Sequence, residues 1–118
     1  MSDPDEFARR LKDSLRFSNL DEAEASVRAI DSLFRQCRQA GDPAGIRLCR
    51  ARLSEGLRRA RRLAGDARLS PAKRREKEEI ARWFQLWLEG PDLFFDWLSA
   101  RQDTAAYRDL LDETMPPR

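Results

Sequence analysis

The sequence contains no histidine and only two cysteines among its 118 residues. Histidine is the commonest general base near neutral pH and a frequent zinc ligand, so its absence argues against most acid–base catalysts and most metal sites. There is also no glycine-rich phosphate loop, no serine-centred elbow and no Cys-x-x-Cys motif. We therefore expect a protein that is not an enzyme and that has no metal, no cofactor and no evident small-molecule substrate.

Long hydrophobic runs are also missing, since no run approaches the roughly 20 apolar residues needed to span a bilayer. The chain begins MSDPDEFARR, which is acidic and polar, unlike a secretory signal peptide. The sequence therefore predicts a soluble protein in the cytoplasm.

Two long segments on either side of Gly41 carry apolar residues at alternating spacings of three and four, as in helices that pack along a seam. Gly41, Asp42 and Pro43 leave no room for a long loop, so the helices are predicted to form an antiparallel hairpin over residues 20–40 and 43–64. Gly56 lies on the second seam, where glycine costs about 1 kcal/mol relative to alanine, so we expect a neighbouring helix to approach closely there. The two seams consist of Leu20, Ala23, Val27, Ile30, Phe34 and Cys37, and of Ile46, Cys49, Leu53, Leu57, Ala60 and Ala64.

Residues 70–101 contain all three tryptophans and half of the phenylalanines. Ser70-Pro71 is a strong helix start, and Gly90-Pro91 predicts a sharp corner between two helices. The apolar face of the first helix consists of Ile80, Trp83, Phe84, Trp87 and Leu88. That of the second consists of Leu93, Phe94, Trp97 and Leu98, and Phe95 is expected to point away from it. The charged first turns are expected to project into solvent; they contain Lys73, Arg74, Arg75, Glu76, Lys77, Glu78 and Glu79.

This aromatic corner has two interpretations. Its rings either form the hydrophobic core, or some of them line a groove or an exposed patch that binds a partner. The partner-binding interpretation involves Trp83, Phe84, Leu86, Trp87, Phe94, Phe95 and Trp97.

Short helices are predicted at both ends of the chain. The first begins at Asp3-Pro4, buries Phe7, Leu11 and Leu15, and ends near residues 17–19. The last follows Asp103 and has its apolar positions at Ala106, Tyr107, Leu110 and Leu111. The expected fold is all-α: one domain over residues 1–118, frayed at 1–2 and 114–118, forming a five- or six-helix bundle built on the long hairpin and the aromatic corner.

Charge is distributed unevenly along the chain, with a net charge of −2 over residues 1–42, +8 over 43–82 and −4 over 83–118. The basic middle block either binds an anionic partner such as nucleic acid, or forms a face that is simply solvated or is paired with the acidic residues Asp21, Glu22, Glu24 and Asp31 of the second helix. The candidate anion-binding residues are Arg47, Arg50, Arg58, Arg61, Arg62, Arg68, Lys73, Arg74 and Arg75.

The two cysteines, Cys37 and Cys49, fall on facing seams at about the same level of the predicted hairpin. They are expected either to be buried, reduced thiols or to form a disulfide as a redox switch, which is unusual in the cytoplasm.

These features favour a small protein-interaction module, such as an adaptor, an assembly factor or a regulatory subunit, which binds a protein partner or self-associates. The alternative is a nucleic-acid-associated protein that holds the phosphate backbone with the basic block. A membrane-surface protein is a weaker hypothesis, and an enzyme that uses a buried carboxylate such as Glu22 or Glu89 comes last.

Overall fold

A computed structural model of the protein describes residues 4–98, and these contain five helices and no strand. The helices are α1 (Pro4–Ser14), α2 (Leu20–Ala40), α3 (Pro43–Ala64), α4 (Pro71–Glu89) and α5, which covers residues 91–98 up to the last described position. The all-α class predicted from the sequence is confirmed. No helix in this part of the chain is both long enough and apolar enough to cross a membrane. The predicted helix after Asp103 and the predicted frayed ends lie outside the described residues.

The helix boundaries follow from capping side chains and from one glycine. Asn19, Asp42 and Ser70 each accept a hydrogen bond from a first-turn backbone N–H of α2, α3 and α4, respectively. Gly41 ends α2 with φ at 64°, a left-handed conformation that glycine adopts without a steric penalty. The helix boundaries predicted at residues 41–43 and 70–71 are therefore confirmed.

Helix α1 ends at Ser14, earlier than expected, because the backbone of Arg16 is held by a side chain. The hydroxyl of Ser26 accepts from the Arg16 N–H at 3.1 Å and donates to the Arg16 carbonyl at 2.9 Å. This pairing replaces the helical hydrogen bonds of the segment and directs Leu15 and Phe17 towards the core.

The largest helix–helix interface is between α3 and α4 rather than within the α2–α3 pair. Gly56 explains this close packing: a Cβ atom there would lie 2.8 Å from both Leu15 Cδ1 and Phe84 Cε2. The close approach predicted at this glycine is confirmed. Helices α2 and α3 also contact each other, and α1 packs against both of them.

The core contains most of the predicted seam residues together with the aromatic residues of α4. Two expectations for the aromatic corner are wrong. Leu93, expected on the buried face of α5, is 73% exposed, whereas Phe95, expected to point elsewhere, packs partly against the core. Lys77, expected in solvent, is 8% exposed because its ammonium group donates to the Ser18 carbonyl at 2.5 Å.

Candidate functional site

The highest density of positive charge lies where α3 ends and α4 begins. Residues 58–75 contain eight basic residues and one acidic residue, Asp66, for a net charge of +7. Helices α3 and α4 pack side by side and are joined by residues 65–70, so these cations gather at one end of the helix pair. We call this surface the basic end; it consists of Arg58, Arg59, Arg61, Arg62, Arg68, Lys73, Arg74 and Arg75, all of which are exposed.

Three of the eight cations of the basic end contact neutral groups, and a fourth has an ionic partner. Arg61 donates to the Gln85 side chain at 2.5 Å, Arg74 donates to the Asp66 carbonyl at 3.5 Å, and Arg59 lies over the Phe17 ring at 5.8 Å. Arg68 forms an ion pair with Asp66 at 3.1 Å. Hydrogen bonds from Arg68 keep the pKa of Asp66 below its usual value, so this carboxylate stays charged.

Within residues 4–98, no ion pair involves Arg58, Arg62, Lys73 or Arg75. Exposed charged side chains that no nearby carboxylate neutralises attract an approaching anion, and salt weakens this attraction by screening. The glutamates that follow in α4 are partly engaged elsewhere: Glu76 pairs with Lys77, and Glu79 accepts from the Trp83 indole.

The predicted pairing of α3 arginines with the acidic residues of α2 is not present in the described part of the chain. Glu24 pairs with Arg28 of its own helix at 3.8 Å, and Glu22 accepts from the Ser18 backbone N–H. Asp31 is turned inwards, where it accepts from Arg35 at 2.7 Å and from the Trp87 indole at 3.0 Å. The sequence signal for this buried acid was its position four residues after the seam residue Val27.

Two of the predicted anion-binding residues do not belong to the basic end. Arg47 is exposed but lies near the start of α3, about 17 Å along the helix from Arg58 at 1.5 Å per residue. Arg50 is half-buried and donates to the Leu88 carbonyl at 3.3 Å, where it covers the end of α4. Arg52 has a similar role, since it donates to the Leu11 carbonyl at 3.3 Å in the last turn of α1. These contacts are structural, because helix-terminal carbonyls lack intrahelical partners.

The aromatic corner divides into a buried part and an accessible part. Four of its seven predicted partner-binding residues are core: Trp83, Phe84, Trp87 and Phe94, each at most 7% exposed. The remaining three, Leu86, Phe95 and Trp97, are half-buried. Leu86 and Trp97 line a shallow groove between α4 and α5, of about 170 Å³, together with Glu89, Gly90, Leu93 and Phe94.

Cys37 and Cys49 are both buried, free thiols. Burial, followed by the proximity of Cys37, raises the pKa of Cys49 to about 12, and burial also raises the pKa of Cys37. Both thiols are therefore protonated and poorly nucleophilic near neutral pH. Among the described residues, no cluster of three or more potential metal-ligating side chains occurs.

Comparison of the chain with protein-family models, with curated proteins and with solved structures finds no match.

Proposed function

We propose that this protein is a non-enzymatic, nucleic-acid-associated protein that binds the phosphate backbone through its basic end. The observation that carries the proposal is the group of exposed cations at the junction of α3 and α4 that have no ionic partner in residues 4–98. The sequence left open whether these arginines bind an anion, are paired with α2 or are only solvated, and the lack of ion pairs to α2 within residues 4–98 argues against the second of these.

Structural roles account for only part of this charge. Arg61 and Arg62 lie in the last turn of α3, where cations stabilise the helix dipole by about 0.3–1 kcal/mol each at an exposed site. Arg58, Lys73 and Arg75 are outside that turn, and Lys73 and Arg75 are near the start of α4, where the dipole disfavours cations. An external anion gives these positions a favourable partner.

The proposed binding does not depend on base sequence. Arginine and lysine contacts to phosphate oxygens position a protein on nucleic acid without reading its bases. The aromatic ring that a cation of the basic end contacts, Phe17, lies beneath Arg59 and packs edge-to-face on Phe84 at 5.2 Å, so it does not offer a free stacking surface.

The proposal includes a cytoplasmic location, which the two free thiols support because cytoplasmic cysteines are normally kept reduced.

Fluorescence anisotropy with labelled duplex and single-stranded DNA, at about 50 and 200 mM salt, tests the proposal. Neutralising about four phosphates predicts that affinity falls on the order of 100-fold between the two salt concentrations. The charge reversal Arg58→Glu with Arg62→Glu should remove most of the binding at the lower salt concentration and reduce the salt dependence.

The matched control is Arg9→Glu with Arg47→Glu, which changes the net charge equally. Both of these arginines are exposed; Arg9 is on α1, and Arg47 is near the opposite end of α3 from Arg58. The control should retain most of the affinity. Equal losses in the two variants would show that net charge alone drives the interaction, and no binding at about 50 mM salt would refute the proposal.

A further inference from the structure

A groove lies between α4 and α5, at the other end of α4 from the basic end. It is lined by Leu86, Glu89, Gly90, Leu93, Phe94 and Trp97 and has a volume of about 170 Å³, which is room for one large apolar side chain. Leu93 is 73% exposed beside it, because Phe94 and Leu98 take the core positions of α5. Leu93 itself lines the groove, so its exposed side chain continues the apolar lining formed by Leu86, Phe94 and Trp97, and contiguous exposed apolar surface marks protein-interaction sites.

The charge around the groove is negative. Residues 83–98 contain Glu89, Asp92 and Asp96 and no lysine or arginine. Asp92 is neutralised by Arg35 and Arg38 of α2, at 3.5 and 3.3 Å. Glu89 accepts from the neutral Gln85 amide at 3.1 Å, and Asp96 is exposed and forms no ion pair within the described residues.

Two further features set the local potential. The C-terminal end of α4 adds the partial negative charge of the helix dipole beside Glu89. Two arginines also contact the rings of α5: Arg82 lies over the Trp97 ring at 5.8 Å, and Arg28, which pairs with Glu24, lies over the Phe95 ring at 5.3 Å. Arg82 thus lies against Trp97, one of the residues that line the groove. Glu89 also lines the groove, and Asp96 is exposed on α5 about one turn after Leu93.

We propose that this groove binds an amphipathic segment of a partner protein that inserts one apolar side chain beside Leu93 and places lysine or arginine residues against Glu89 and Asp96. Charge complementarity selects this occupant. A symmetric pairing of two copies would bring the same carboxylates face to face, which is unfavourable. The proposal narrows the protein-interaction hypothesis to one surface and one partner chemistry, and it is independent of the basic end.

The test uses the full chain and a synthetic peptide of about 14 leucines and lysines whose leucines follow the helical i, i+3, i+4, i+7 spacing. A peptide of the same composition, scrambled to remove the apolar face, is the comparison ligand. We expect saturable binding of the amphipathic peptide, measured by calorimetry, and at least tenfold weaker binding of the scrambled peptide.

The decisive variant is Leu93→Asp, because it removes the apolar contact while it adds negative charge. Docking in the groove predicts at least a tenfold loss of affinity, whereas purely electrostatic attraction predicts tighter binding. Leu48→Asp is the matched control: Leu48 is 50% exposed on α3 and does not line the groove, so this variant should bind the peptide as the natural protein does. Circular dichroism verifies that both variants keep their helicity.

Three results would overturn the proposal: unchanged or tighter binding by Leu93→Asp, equal binding of the scrambled peptide, or no saturable binding. Sedimentation velocity of the protein alone tests whether the chain self-associates. Self-association that Leu93→Asp abolishes and Leu48→Asp does not would identify a second copy as the occupant, and it would also reject the cationic partner.

Discussion

Replacing Gly56 with alanine has two opposing effects of similar size on the free energy of unfolding. In an exposed mid-helix position, alanine is more favourable than glycine by about 1 kcal/mol. Gly56, however, is buried in the middle of α3, where the new Cβ atom would lie 2.8 Å from Leu15 Cδ1 and from Phe84 Cε2. Neither distance is compatible with an undisturbed structure, so at least one neighbour has to move.

The two neighbours differ in how easily they can move. Leu15 offers the end of a flexible side chain, and a change of rotamer relieves that contact. Phe84 is fully buried, and its ring packs edge-to-face on Phe17 at 5.2 Å. Overpacking of this kind costs about 1–3 kcal/mol, which exceeds the gain in helix propensity. We therefore expect Gly56→Ala to lower the free energy of unfolding by about 1 kcal/mol.

Urea unfolding followed by circular dichroism measures this change, and Gly65→Ala is the control. Gly65 ends α3 with φ at −82°, and a Cβ atom there would meet nothing closer than 3.5 Å. The control should be as stable as the natural protein or more stable by up to about 1 kcal/mol. An increase in stability for Gly56→Ala would refute the reasoning, because it would mean that α3 and α4 do not pack this closely.

Two further predictions concern buried polar groups. Asp31→Ala leaves the buried Trp87 indole N–H without its acceptor, while Arg35 keeps its ion pair with Asp92, and should lower the free energy of unfolding by about 1–3 kcal/mol. Combined with Trp87→Phe it should cost less than the sum of the single changes, and additive losses in urea unfolding would contradict the contact. The pKa of Cys49 is raised to about 12, above the value of about 8.5 for an unfolded thiol. The contribution of this thiol to the free energy of unfolding is therefore fully present below about pH 8.5 and declines as the pH rises above that value. Unfolding measured from pH 7 to 10 should show a smaller decline in Cys49→Ala, and identical pH profiles would contradict the prediction.

Local signals in the sequence were sufficient for the helices and for most of the core. Ser70, Asp42 and Gly41 act within one turn of the backbone, so their roles as caps could be predicted without knowing what each helix packs against. The end of α1 could not be predicted in this way, because the Ser26 hydroxyl that holds Arg16 is ten residues away.

Predictions about the candidate surfaces were less complete, because burial depends on neighbours that are distant in sequence. The basic block was recognisable from composition, but Arg50 proved to cover the end of α4 and Lys77 proved to be buried on the Ser18 carbonyl. The buried face of α5 is rotated about the helix axis relative to the expected face, so that Leu93 is exposed to solvent.

Helical class, cap positions and the excess of cations in residues 58–75 are properties of the sequence, because each depends on residue type and short-range spacing. The packing of the helices against one another determines which of those cations form no ion pair within the described residues, and which aromatic rings are buried in the core. Asp31 illustrates the difference. In the sequence of α2 it is one of many polar residues, and only the approach of Trp87 from α4 makes it a buried hydrogen-bond acceptor.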